Sequence, residues 1–257
     1  MSIRALAATA VALTLTATPA CADSTAGLES TDTLTVLTMN AHGSTDRFGG
    51  GNRGRTAATS RDVSALVRKY RPNAIAMQEL CNAQYAALRK VLKGYSAIAG
   101  FARRSGGCNS TPVGNRFGNA LLLRGALAWH KSTSLPWGKA ANGTTGRENR
   151  TLACGRTKNS TTLFCAAHLS PVEPDRSIQA QRVLTLVKAW ARSSKATGWV
   201  LAGDLNMRSA AAGRIFGPAA GSSIDWVAGT APRLVAAHAI GSSDHPAVVV
   251  ATKERAS

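Results

Sequence analysis

Trp199-Val200-Leu201-Ala202-Gly203-Asp204-Leu205-Asn206 is the stretch on which the reading of this chain turns. An apolar run enters Gly-Asp-Leu-Asn, the pattern of a buried strand ending in a tight turn. Period-2 alternation carried across that turn puts Asp204 and Asn206 on one side. A carboxylate and a carboxamide at the carboxyl end of a buried strand can accept a proton, bind a cation or hold an oxyanion. A buried acid without such a partner is costly, which points to a site. An Asx turn after a strand accounts for the same residues by composition alone. The balance shifts because other apolar strands of the chain end in the same way.

Upstream, Leu34–Met39 alternates as a first strand and ends at Asn40-Ala41-His42-Gly43. A Gly- and Arg-rich loop, Arg47 to Arg55, follows; it reads as a linker or as a phosphate-approaching loop with Arg53 or Arg55. Val63, Leu66, Val67 and Tyr70 form a helical stripe over 56–70, closed by Pro72. Asn73–Met77 is a buried strand ending at Gln78-Glu79-Leu80, and 83–92 is a second amphipathic helix stopped by Gly94. Strands are expected at 95–101 and 119–123, with a long loop over 103–116 between them. A hairpin is expected over 147–155 and 161–168, ending at His168, then a helix over 176–192. Downstream of Asn206 come a short helix near 209–215, a Gly/Pro loop, and strands at 223–227, 234–240 and 247–251. The alternation of strands and helices, with more strands in the second half, gives one α/β domain with mixed sheets.

The 257 residues suffice for one large core. Arg4, the apolar run Ala5–Ala17 and the small-residue site Ala20-Cys21-Ala22 read as a secretory signal over 1–22, too short to span a bilayer. A lipidated Cys21 is the weaker alternative. A flexible leader is expected over 23–32 and the folded domain over 33–252, with secretion as the destination. Export leaves Cys81, Cys108, Cys154 and Cys165, an even set that favours disulfides in an exported chain. Of the three possible connectivities, the nearest-neighbour pairs Cys81–Cys108 and Cys154–Cys165 are favoured, the second because its cysteines fall on the two hairpin strands. The absence of Cys-x-x-Cys spacing argues against a zinc site.

Charge is the strongest compositional signal. The chain carries 31 Lys+Arg against 13 Asp+Glu, a formal net charge of +18; losing Arg4 with the signal leaves about +17. Such a field attracts polyanions, although a merely basic surface would look the same. The acids are informative by their placement: Glu79, Asp204, Asp225 and Asp244 fall at apolar strand ends rather than on helix surfaces.

Asn40, Glu79, His168, Asp204, Asn206, Asp225, Asp244 and His245 thus gather at strand ends. Oxygen donors and amides without thiolates suit a hard cation such as Mg²⁺, and histidines beside carboxylates suit proton transfer. The ordered set Thr38-Met39-Asn40, Gln78-Glu79-Leu80, Ala167-His168-Leu169-Ser170, Gly203-Asp204-Leu205-Asn206, Ile224-Asp225-Trp226 and Ser243-Asp244-His245-Pro246 resembles the endonuclease/exonuclease/phosphatase superfamily, of DNase I-like fold. The resemblance runs from about Leu34 to Ala251. It implies a four-layer α/β sandwich, two packed mixed sheets flanked by helices, that cuts phosphoester bonds with a divalent metal.

By the same resemblance, Glu79 and Asn40 hold the metal, with Asp244 as a second metal or orienting ligand. Asp204 and Asn206 orient the attacking water or the phosphate. Asp225 fixes His245 as a base or as a stabiliser of the phosphate charge, and His168 donates to a phosphate oxygen or the leaving group. Arg150 is a phosphate clamp, and His42, where the family often has Arg or Asp, touches phosphate, metal or the surface. Around Gly118-Asn119-Ala120 this chain offers amides where DNase I-type nucleases carry a glutamate that pairs with the first histidine. In-line attack on a phosphodiester concentrates negative charge, which a cation, amides and imidazoles offset.

Fold does not name substrate. The charge and the Arg-rich loops favour extended polyanions, so the expected function is a secreted, Mg²⁺-dependent endonuclease on DNA or RNA, with Mn²⁺ or Ca²⁺ as alternative ions. Its expected partner is nucleic acid, without stable membrane association, acting as a monomer. A sphingomyelinase-type enzyme is the alternative, hinted at by Trp129 and Trp137 in one loop-rich stretch. A small-molecule phosphoesterase and a non-catalytic nucleic-acid binder come after it.

Overall fold

The computed structural model describes residues 33–43, 51–104, 108, 115–136 and 149–254, the side chains of 51–55 and 103–104 excepted. The expected signal and leader, Trp137 and most of the 103–116 loop lie outside the described residues. The elements run β1 (Thr33–Asn40), α1 (Gly51–Tyr70), β2 (Ala74–Cys81), α2 (Asn82–Val91), β3 (Tyr95–Arg104) and β4 (Arg116–Arg124). They continue with β5 (Leu127–Ser134), β6 (Thr151–Thr157), β7 (Thr162–His168), α3 (Asp175–Ser193) and β8 (Gly198–Asp204). The last are α4 (Ser209–Phe216), β9 (Ala219–Ser222), β10 (Asp225–Ala228), β11 (Thr230–His238) and β12 (Ala247–Lys253).

The strands form two 6-stranded sheets, ordered β11-β12-β1-β2-β4-β3 and β5-β6-β7-β8-β10-β9. Among the strands of the described residues, β1–β2 and β7–β8 pair in parallel, each joined by a crossover through a helix, α1 in one sheet and α3 in the other. Both sheets are therefore mixed.

Period-2 alternation in strands that bury apolar residues on both faces builds the layers. Leu34 and Val36 of β1, Ala74 and Ala76 of β2, and Val248 and Val250 of β12 face Phe164 and Ala166 of β7 and Val200 and Ala202 of β8, in a core between the sheets. The intervening residues turn outward. Leu37, Met39, Ile75, Met77 and Val249 pack with Val63 and Leu66 of α1 and Leu88 of α2. Leu163, Cys165 and Leu201 pack with Val183, Val187 and Trp190 of α3 and Phe216 of α4. Helix, sheet, sheet, helix is the four-layer sandwich. Each large side chain so buried contributes about 1.5–3 kcal/mol of transfer free energy.

Both expected disulfides are present. Cys154 lies directly opposite Cys165 on the β6–β7 ladder, with Cα atoms 4.1 Å apart. Cys81–Cys108 ties the end of β2 to the segment beyond β3.

Three local expectations need correction. Helix α1 begins at Gly51, so residues 51–55 are helical rather than loop. The Gly/Pro loop after α4 contains β9, paired to β10. Trp129 sits on strand β5, not in a loop, with its ring 5.9 Å from that of Trp190. It packs against the α3 side of the core, which removes it as a membrane-facing anchor. Among the described residues no helix is long and apolar enough to cross a membrane.

Candidate active site

The carboxyl ends of the two parallel strand pairs meet at one edge of the sandwich, where open α/β sheets place ligands. In one sheet Asn40 is level with Gln78; in the other His168 and Asp225 flank Asp204 on a single rung. Glu79 follows Gln78 with a φ of 53°, a left-handed backbone at a β-bulge between β2 and β4 that re-aims its carboxylate. Gly203 has a φ of 151°, and a Cβ there would collide with the Ala167 carbonyl. Only glycine lets β8 approach β7 this closely, and that approach sets Asp204 beside His168.

Asn40, 1% exposed, joins the sheets. Its Nδ2 donates to Glu79 Oε1 at 3.2 Å and to Asp204 Oδ2 at 3.3 Å. Its Oδ1 accepts from the His42 backbone N–H at 2.9 Å. The turn after β8 is an Asx turn, with Asn206 N–H on Asp204 Oδ1 at 3.0 Å and Asn206 at a φ of 51°. The turn, not continued strand alternation, brings Asp204 and Asn206 together. Asn206 Nδ2 donates to the Leu169 carbonyl at 2.8 Å, and Arg176 Nη1 donates to the Asn206 carbonyl at 2.7 Å. Nothing local in the sequence marks Arg176 as part of the site, because its contact is made across 30 residues.

Asp204 lies between two imidazoles: His168 Nε2 is 3.3 Å and His245 Nδ1 3.8 Å from its Oδ2. His245 Nδ1 also hydrogen-bonds Asp225 Oδ2 at 2.9 Å, and Asp225 is fully buried. The other Asp225 oxygen has no hydrogen-bond partner among the described residues. The two histidines are driven in opposite directions. The hydrogen bond to Asp225, reinforced by the surrounding carboxylates, raises His245 to about 9. Burial, then the charges of Arg150 and His245, hold His168 well below the usual imidazole range. Burial and the Asp225 charge raise Asp204 to about 7, and burial raises Asp225 as well. At neutral pH the site therefore sets an imidazolium, a neutral imidazole and a titrating carboxyl within a few ångströms.

Arg150, 8% exposed, joins His168 and Asn119 around a cavity of about 10 Å³, room for about one water. Asn119 Nδ2 donates to the Thr151 carbonyl at 2.9 Å, while His168 lies with its Nε2 3.3 Å from Asp204 Oδ2.

Asp244 and Glu79 both approach His42, with Asp244 Oδ1 2.9 Å and Glu79 Oε2 3.9 Å from its Nδ1. These carboxylates, with the amide of Asn40, are the oxygen-rich donor chemistry that a divalent cation takes. Asp204, Asp225 and His245 form a second group, one ligand atom of each lying within 4.8 Å of the others. A cation on His245 Nδ1 would displace its hydrogen bond to Asp225, so the donor chemistry fits better around Glu79 and Asp244.

Two packed six-stranded sheets with this polar edge define a phosphoesterase fold. A model described as the Endonuclease/Exonuclease/phosphatase family matches residues 37–245, and the chain belongs to that family. Its members are hydrolytic phosphoesterases, generally dependent on a divalent metal. No curated protein matches by sequence. Among solved structures, a family protein from Bacteroides thetaiotaomicron superposes with a TM-score of 0.65 at 15% identity, covering 88% of this chain and 99% of that one. The mannosyl-6-phosphatase of the same organism gives 0.61 at 16% identity, covering 84% and 98%. The human Nocturnin catalytic domain with a bound sulfate anion gives 0.61 at 14%, covering 86% and 94%. At these identities the likeness is one of fold.

Proposed function

We propose that this protein is an exported, metal-dependent phosphodiesterase that cleaves nucleic acid internally. The observation that carries the chemistry is Asp204 set between His168 and His245, 3.3 Å and 3.8 Å from its Oδ2, two imidazoles whose pKa values are pushed in opposite directions. The polymer is argued from the +18 net charge. Export is argued from the signal-like residues 1–22 and from two disulfides, which persist in oxidising compartments.

In this reading Asp204, ionised above about 7, orients the attacking water and takes its proton. Asn40 holds that carboxylate in place, and Asn206 faces the phosphate. His245 is the wrong protonation state for a base at neutral pH; its imidazolium, fixed by Asp225, offsets the charge that grows on the phosphoryl oxygens. His168, neutral and buried, hydrogen-bonds the substrate through one ring nitrogen, with Arg150 beside it as a phosphate clamp. Glu79, Asp244, Asn40 and His42 would hold the cation, with Mg²⁺ the first candidate and Mn²⁺ or Ca²⁺ the alternatives. When bound, the cation supplies Lewis-acid stabilisation of the phosphoryl and leaving oxygens.

Purified protein with Mg²⁺ or with EDTA, incubated with plasmid DNA, RNA, sphingomyelin and a sugar phosphate, tests this. EDTA-sensitive nicking of DNA or cleavage of RNA supports the reading and names the polymer. Hydrolysis of sphingomyelin or the sugar phosphate with intact polymers overturns it in favour of a small-substrate phosphoesterase.

A further inference from the structure

A groove of about 650 Å³ opens directly beside Asn206. It runs between the amino-terminal turn of α3, the turn after β8 and helix α4. Its volume lies within the range of about 300–1,000 Å³ typical of ligand sites. Met207, Ile215 and Ile224 give it an apolar wall, and Arg176, Arg208 and Arg214 line it with positive charge. Among the described residues its single acid, Glu173, is already taken by Arg176, at 2.7 Å from Nη2 and 2.8 Å from Nε. Arg208 and Arg214 are exposed and have no acidic partner among the described residues. The groove is thus cationic at its rim and apolar along its wall.

From this we infer that the groove is the subsite for the nucleotides that flank the scissile phosphate on one side of a single-stranded nucleic acid. The inference rests on the nuclease reading. Guanidinium groups pair with phosphates and stack on bases, and an apolar wall accepts the faces of bases without reading their sequence. Arg176 couples the two places physically. It lines the groove and holds the Asn206 carbonyl at 2.7 Å, so a strand seated in the groove leads to the residue that faces the reacting phosphate. A small phosphomonoester would fill the Asp204 site and leave the groove empty.

The test compares wild type, the Arg208→Ala/Arg214→Ala double variant and the Arg208→Lys/Arg214→Lys double variant. Each is assayed with Mg²⁺ on a single-stranded oligonucleotide and on bis(4-nitrophenyl) phosphate. The alanine variant should lower the ratio of oligonucleotide to small-ester kcat/KM at least tenfold, carried by KM. The slope of log KM against log salt should fall by about 1.4, for two lost phosphate contacts on a single strand. The lysine variant should recover most of the loss. An unchanged ratio and slope in a wild type that cleaves the oligonucleotide overturns the groove assignment alone. A wild type that hydrolyses the small ester but no oligonucleotide overturns the nuclease reading, and the groove assignment with it.

Discussion

Asn40 Nδ2 donates to Asp204 Oδ2 at 3.3 Å, a hydrogen bond from the end of one sheet to the end of the other. The same nitrogen reaches Glu79 Oε1 at 3.2 Å, so one amide aligns the carboxylate assigned to water and a carboxylate assigned to the cation. Replacing it by alanine removes one donor from the buried Asp204 Oδ2 and one from the part-buried Glu79 Oε1. Asn40→Ala is expected to lower kcat by about 10²–10³-fold and stability by about 1–3 kcal/mol. Steady-state kinetics and urea unfolding check this; a kcat within threefold of wild type contradicts it.

The opposed shifts give a pH signature. Asp204 must ionise, which gives a rising limb near 7, and His245 must stay protonated, which gives a falling limb near 9. Asp225→Asn removes the largest cause of the His245 shift, so the falling limb should move down toward about 6.5. Stability follows the same sign. His245 is raised above its unfolded value, so its contribution is full below about 6.5 and is lost as pH rises through about 9. Rate profiles and histidine NMR titration read both. A falling limb that stays near 9 in the variant contradicts the assignment.

Much of this arrangement was legible in the chain because β1, β2, β7, β8 and β12 are apolar on both faces. The polar residues stand out against them: Asn40, Glu79, His168 and Asp204 where an apolar run stops, and Asp244-His245 just before β12 begins. Strand β5 was not legible: at the sheet edge, with Lys131 and Ser132 exposed, it alternates too weakly to separate from a loop. Strand β9 is Ala-Ala-Gly-Ser, without side chains that mark a strand. The first turn of α1, Gly-Asn-Arg-Gly-Arg, carries no apolar period. The Asx turn, rather than the strand period, unites Asp204 and Asn206. Arg176 needed the tertiary structure.

The disulfides should differ in worth. Cys81 and Cys108 are 27 residues apart and Cys154 and Cys165 are 11 apart. Loop-closure entropy makes each worth about 2–4 kcal/mol, the longer by about 0.8 kcal/mol more. Cys108→Ser paired with Cys81→Ser should also lower activity, because Cys81 lies two positions after Glu79. Urea midpoints for the two cysteine-pair variants check the order; equal midpoints contradict it.

Gly203→Ala tests the β7–β8 approach. With the Ala167 carbonyl in the way and a φ of 151°, the substitution should cost at least about 2–3 kcal/mol. It should also lower kcat through the displaced Asp204. A thermal midpoint and kcat both within error of wild type contradict this.

The central claim is that Asp204, between the two histidines, drives hydrolysis of a nucleic-acid phosphodiester. The most direct test is the single-turnover cleavage rate of a labelled single-stranded oligonucleotide, with saturating Mg²⁺, for wild type and Asp204→Asn. The variant keeps the shape of the side chain and removes the proton acceptor. A loss of about 10²–10⁴-fold in rate, with circular dichroism and Mg²⁺ affinity retained, is the predicted result. Cleavage by Asp204→Asn at the wild-type rate would contradict the account.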